Sequence, residues 1–205
     1  MSTEPPSANP SLPEPAPPAA STTQEACPPE QALARRAIGG VLRNAQNGEL
    51  PLFGWTLGLP QHDMLAMLQR YFPELAPLDP LPSGQYEHLR HQHPSDFQAL
   101  VTLLLFHRSE EVDPHEARWL AHAISAACFG ERHLWEDLGL GGRPDVSALL
   151  KHYFGPLYLR NTRNLRWKRF LFAELGTLRG LPDLVPPSCQ GCDERQQCFS
   201  GKTDI

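Results

Sequence analysis

From Glu30 onwards the apolar residues recur at helical spacing. Leu33, Ala34, Ala37, Ile38, Val41 and Leu42 lie three and four residues apart, which predicts an amphipathic helix over 30–44 closed by Asn47-Gly48. A Gly- and Pro-punctuated link, 51–60, carries Phe53, Trp55 and Leu57, expected to plug onto the domain, and a second helix is predicted over 61–72, between Pro60 and Pro73. Residues 73–94 hold so many breakers (Pro73, Pro77, Pro80, Pro82, Gly84, Pro94) that a loop or a run of turns is expected. A strongly apolar helix, expected to be central, follows over 95–108. Asp113, Pro114 and Glu116 then supply an N-cap, a first-turn proline and a first-turn acid for a helix to about Phe129, with Trp119, Leu120, Ala123, Ile124 and Ala127 as its buried stripe. A short helix at 133–138, one capped by Asp145 and running to Phe154, and a last long one over 160–178 ended by Gly180 complete the series. No convincing period-2 strand or internal repeat interrupts it. The expected fold is all-α.

Composition divides the chain. Nine of the 22 prolines fall in the first 30 residues, among Ser, Thr, Ala and Glu, a segment that cannot bury a core. The expected organisation is a disordered Pro-rich N-terminal tail (1–29), a single helical domain (30–182) and an irregular cysteine-rich segment (183–205). The first 30 residues contain four Glu and no Lys or Arg, unlike a secretory leader, and no apolar run approaches membrane-spanning length, so a cytoplasmic protein without a membrane anchor is expected. The remainder is nearly neutral and lacks an aromatic stacking platform, which argues against a nucleic-acid partner.

Candidate chemistry concentrates at the C-terminal end. Cys189, Cys192 and Cys198 form a C-x2-C-x5-C pattern in which Gly191 eases the turn that aims two sulfurs at one centre and the longer gap returns a third. Thiolates are soft ligands, and three within ten residues suit zinc or an iron-sulfur cluster. A structural zinc site needs a fourth ligand. The candidates are Cys128, His133, His122 and Asp183.

The string His133-Leu134-Trp135-Glu136-Asp137-Leu138-Gly139-Leu140, together with Arg160-Asn161, Trp167-Lys168-Arg169-Phe170 and the terminal cysteines through Phe199, resembles the NifQ family of nitrogen fixation over roughly residues 30–201. The resemblance implies a metallochaperone that carries a Mo-Fe-S cluster and supplies molybdenum for the nitrogenase iron-molybdenum cofactor. It implies as partners the nitrogenase cofactor scaffold complex, the nitrogenase Fe protein, and molybdate or another molybdenum donor. The family pattern is C-x4-C-x2-C-x5-C, and here Leu184 stands at its first cysteine. Three thiolates can still hold the iron corners of a cluster and leave molybdenum open; otherwise Cys128 or His133 substitutes, or transfer is impaired.

Two further constellations admit more than one reading. Arg160, Arg163, Arg166, Lys168 and Arg169 are either a solvated helix face or a surface for an acidic partner or the molybdate dianion, with Arg160, Arg163 and Lys168 as the contacts. His88, His91 and His93 are either loop histidines or a zinc or nickel site. His115 and His122 are expected to be hydrogen-bonded helix histidines, and Cys27 a free thiol in the tail. No nucleophile-plus-base arrangement, phosphate loop or paired carboxylate stands out, so the expected action is transfer, not enzymatic turnover. The alternative from another class is a zinc-stabilised helical adaptor that binds proteins through its basic helix.

Overall fold

Proline sets where the first helix begins. In the computed structural model, which describes residues 28–75, 77–182, 184–189, 191–192 and 195–199 with the side chain of Gln197 excepted, Pro29 occupies the first turn of α1 (Pro29–Gln46), where a missing N–H costs nothing. Most of the predicted tail, with Cys27, lies outside the described residues, as does Asp183. Ala34, Ala37, Ile38, Val41 and Ala45 form the buried stripe of α1. A 3-10 turn (Leu52–Trp55) seats Phe53, and Leu57 beyond it is fully buried, whereas Trp55 is 46 % exposed and does not plug the core. Helix α2 (Gln61–Tyr71) follows as expected.

The stretch 73–94 is not all turns. Four of its five prolines precede the helix α3 (Ser83–Arg90) and Pro94 follows it, so none interrupts its ladder. Burial of Tyr86, whose hydroxyl donates to Leu59 O at 2.9 Å, holds α3 against the body.

Helix α4 (Ser95–Phe106) packs on α5 (Pro114–Ala127), and α5 is the central one: every residue from Trp119 to Ala127 is buried, while α4 ends on an exposed Phe106. The Asp113 carboxylate accepts from the His115 and Glu116 N–H groups, as an N-cap should. Edge-to-face and tilted rings, Phe53–Phe97, Phe97–Phe129 and Phe129–Phe172, run through the core and tie the 3-10 turn, α4 and the end of α5 to the last long helix.

Two short elements, α6 (Leu134–Asp137) and α7 (Arg143–Tyr153), differ from expectation in one cap. Gly142 is the N-cap of α7; Asp145 sits inside the first turn and reaches back to accept from the Gly141 N–H at 2.9 Å. The helix predicted over 160–178 starts only at Trp167, as α9 (Trp167–Arg179), and a short helix that the sequence did not announce, α8 (Gly155–Arg160), precedes it. Between them the Asn161 side chain clasps the backbone N–H and C=O of Leu165, Asn164 takes a positive φ of 52°, and Arg143 donates to the carbonyls of Asn164 and Leu165. These bonds replace a helical ladder, so Arg160 and Arg163 share no helix face with Trp167. Gly180 ends α9 in the left-handed region, as predicted. Among the described residues there is no strand, and no helix is long and apolar enough to cross a membrane.

Helix α6 is held against α1 by a backbone contact. A Cβ on Gly40 would stand 2.1 Å from Leu138 O and 2.8 Å from the Gly139 Cα, and Gly139 itself has φ of 63°. Asn44, one turn along α1, donates to the Glu136 and Asp137 carbonyls, satisfying the end of α6. Gly40→Ala is expected to push α6 off α1 and cost about 1–3 kcal/mol, read as a lower urea midpoint.

Candidate metal centre

Helix α9 carries the cysteine segment on its own end. The Leu181 N–H returns to Gly176 O and the Leu184 N–H to Leu181 O, while Leu184 packs against the core where α9 has Gly176; a Cβ there would stand 3.0 Å from the Leu184 Cβ. The 3-10 turn Pro187–Cys189 is closed by Cys189 N–H to Pro186 O. Cys192 O accepts from Arg195 N–H as α10 (Arg195–Phe199) begins, and this last helix bears Cys198. Phe199 lies under two guanidiniums, 4.4 Å from Arg169 and 5.8 Å from Arg195, which pins the far end of the segment back onto α9.

Cys189, Cys192 and Cys198 line one cavity of about 870 Å³, and His133 lines it too. None of the four described cysteines is in a disulfide. Burial raises the Cys189 thiol pKa, and the neighbouring Cys192 and Cys198 raise it further, against a smaller downward pull from Lys168 and Arg195. Crowded thiols resist ionising together without a cation. A bound metal supplies that charge and displaces the protons. Among the described residues no three His, Cys, Asp or Glu side chains converge tightly enough to hold a single ion.

The candidate residues sort by place. His133 reaches the cavity because it opens α6, with the Glu136 carboxylate accepting its N–H. Cys128 is not brought there: it closes α5, has no exposed surface, and burial pushes its thiol up to about 12. Leu184 is not among the lining residues. Arg160 pairs with Glu174 at 2.6 Å and Arg163 is exposed in the 161–166 turn, both off the cavity lining.

Lys168 is not the surface cation that the basic stretch suggested. It is buried, and its ammonium donates to Gly130 O (2.8 Å), Arg132 O (2.6 Å) and Asp137 Oδ2 (2.6 Å). Arg132 donates to the other Asp137 oxygen and to Glu49. Gly130 is glycine for a steric reason: a Cβ would come within 2.4 Å of Asp137 Oδ2. This network fixes the backbone leading into His133, and Lys168 forms part of the cavity wall.

Four arginines also line the cavity: Arg132, Arg143, Arg166 and Arg169. Arg166 and Arg169 belong to the basic stretch seen in the sequence; Arg132 and Arg143 arrive from other elements and carried no sequence signal. The histidines at 88, 91 and 93 make local contacts: His88 with the Gln92 amide, His91 with Glu87 O, His93 with Pro94 O and the Phe97 ring. His115 stacks near Trp119, and His122 is buried with Nδ1 bonded to Leu57 O.

Comparison with known proteins covers the helical body and the cysteine segment together. The sequence pattern of the NifQ family matches residues 37–200. Protein NifQ of Rhodobacter capsulatus is 37 % identical over 178 residues, covering 84 % of this chain and 93 % of the relative. Protein NifQ of Azotobacter vinelandii is 33 % identical over 170 residues (79 % and 86 %), and that of Klebsiella pneumoniae 29 % over 163 residues (78 % and 93 %). No solved structure matches.

Proposed function

Since the chain belongs to the NifQ family of nitrogen-fixation proteins, we propose that it is a metallochaperone whose cargo is a Mo-Fe-S cluster, held by Cys189, Cys192 and Cys198 and handed on for assembly of the nitrogenase iron-molybdenum cofactor. The observation that carries this reading is the convergence of three thiols, none in a disulfide, on one cavity beside His133. The cargo is substrate, delivered and released, so the action is transfer and not turnover. Its receivers are the cofactor scaffold complex and the nitrogenase Fe protein, and its molybdenum comes from molybdate or another donor. The chain's own part is to hold the thiols on the lining of a large cavity and to set the His133 backbone through Lys168.

A lone zinc ion in a protein-binding adaptor would need a fourth ligand beside the three cysteines, and Cys128, one candidate for it, is buried at the end of α5, off the cavity lining. Leu184 favours a second version, in which the family role persists but transfer is weakened: the position given to a cysteine by the family is here a packing contact on Gly176.

The test is anaerobic purification with metal analysis and electron paramagnetic resonance. Iron, molybdenum and a cluster signal are expected, and Cys192→Ser should lose all three. A colourless protein with one zinc and no iron overturns the reading. Rescue of molybdenum-limited nitrogen fixation by the natural chain and by Leu184→Cys then separates the versions: equal rescue supports full activity, and rescue only by Leu184→Cys supports impairment.

A further inference from the structure

The breakers between α2 and α3 carry a second pattern. In Pro77-Leu78-Asp79-Pro80-Leu81-Pro82 the prolines at 77 and 80 and the leucines at 78 and 81 each stand three residues apart. The polyproline II helix has three residues per turn, so over two turns the prolines form one ridge and the leucines a second beside it. The backbone is steered into that form. Each proline ring fixes its own φ, and a residue before proline is held out of the α region, which leaves Leu78 as the one of the six under neither constraint. Pro82, at the end of the run, has φ of −51° and ψ of 128°, in the same extended region.

This strap is held at its ends and bare between them. The Leu75 N–H returns to Phe72 O at the exit of α2, the Gln61 side chain donates to Leu81 O at 3.2 Å, and Pro82 O accepts from the Gln85 and Tyr86 N–H groups of α3. Among the described residues nothing bonds the backbone of 77–80. All six residues are exposed, Leu78 and Leu81 by half. Asp79 is the one charged side chain of the six, and among the described residues it has no ion pair, whereas the acids to either side, Glu74 and Glu87, are each paired with an arginine. Rigid extended backbone with unused carbonyls is the form read by aromatic-lined grooves, whose ring faces seat proline and leucine and whose indole or phenol donors take the carbonyls.

We infer that residues 77–82 are a docking strap for a protein partner that presents an aromatic-lined groove with a lysine or arginine at its rim, the basic residue pairing with Asp79. Because the strap is already extended and anchored, little chain freedom is lost when the groove closes on it. None of the six residues lines the cysteine cavity, so the strap is separate from the place of the cargo and stands whatever the cargo is.

Site-specific photo-crosslinking tests it. The full chain, with a benzophenone side chain in place of Leu78 or, in a second preparation, of Leu81, is irradiated in nitrogen-fixing cells that lack the natural copy. One discrete protein adduct is expected, and mass spectrometry of the crosslinked peptide should place the attachment among aromatic residues with a lysine or arginine beside them. Adding Pro77→Ala and Pro80→Ala, which frees the backbone and removes one ridge, should lower the adduct yield about tenfold. Asp79→Lys, which sets like charges together, should lower it several-fold. Circular dichroism confirms that each variant is folded. No adduct from either position overturns the strap, as does an adduct with a second copy of this chain or with lipid, attachment away from any aromatic groove, or a yield that the proline changes leave unmoved. Metal content of the same preparations reports on the carrier reading separately.

Discussion

Lys168→Met is expected to destabilise the fold by about 3–5 kcal/mol, the usual cost of removing one partner from a buried ion pair. The substitution keeps the stem and deletes the ammonium. Asp137, with no exposed surface, is then left, among the described residues, with Arg132 as its cation, and the carbonyls of Gly130 and Arg132 lose a donor. Because that backbone leads into His133, the loss reaches the cavity as well as the core. Urea unfolding measures it as a drop in midpoint at unchanged slope. Pairing the change with Asp137→Leu should recover part of the loss, since the second substitution removes the stranded charge. If Lys168→Met alone unfolds at the natural midpoint, the ion pair is not holding this corner.

Acid should weaken the fold well above the carboxylate range. His122 is buried among Phe97, the Leu57 carbonyl and the charged Arg118 and Asp63, and burial, its main influence, lowers its pKa from the ordinary 6.5 to about 4; Arg118 and His93 push the same way, against the Leu57 bond and Asp63. The unfolded chain therefore binds a proton below about pH 6.5 that the folded chain refuses until about pH 4. Stability is full above the upper value, falls as pH drops between the two, and is level again below the lower as far as this group is concerned. The loss is about 3 kcal/mol, the pKa difference converted at 1.36 kcal/mol per tenfold. Unfolding midpoints at pH 7, 5.5 and 4 for the natural chain and for His122→Gln should converge as pH falls; parallel curves would show that another group governs acid sensitivity.

Elements announced by local chemistry were legible in the sequence: the Asp113 cap, the proline at 114, the glycine stop at 180. The misses arose where a distant residue decided the outcome. Breakers at 73–82 concealed α3 because they crowd before it, and its formation depends on Tyr86 reaching Leu59. The break at 161–166 depends on Arg143, 21 residues before Asn164. The site follows the same division. Spacing named Cys189, Cys192 and Cys198, and the His133 string marked the residue that joins them at the cavity. Lys168 looked like one charge in a basic run, because its partner Asp137 lies 31 residues away. Arg132 and Arg143 lacked any local mark.

The attachment of the cysteine segment at both ends to one helix bears on the entropy of loading. Leu184 rests against Gly176 and Phe199 against Arg169, two turns apart on α9, a span of about 10 Å at 1.5 Å per residue. A free tail bearing three thiols would have to give up its chain freedom each time it closed around a cargo. A segment tethered twice to one rigid rod has given up much of that freedom already, so uptake and release can run near balance, which suits the carrier role proposed above.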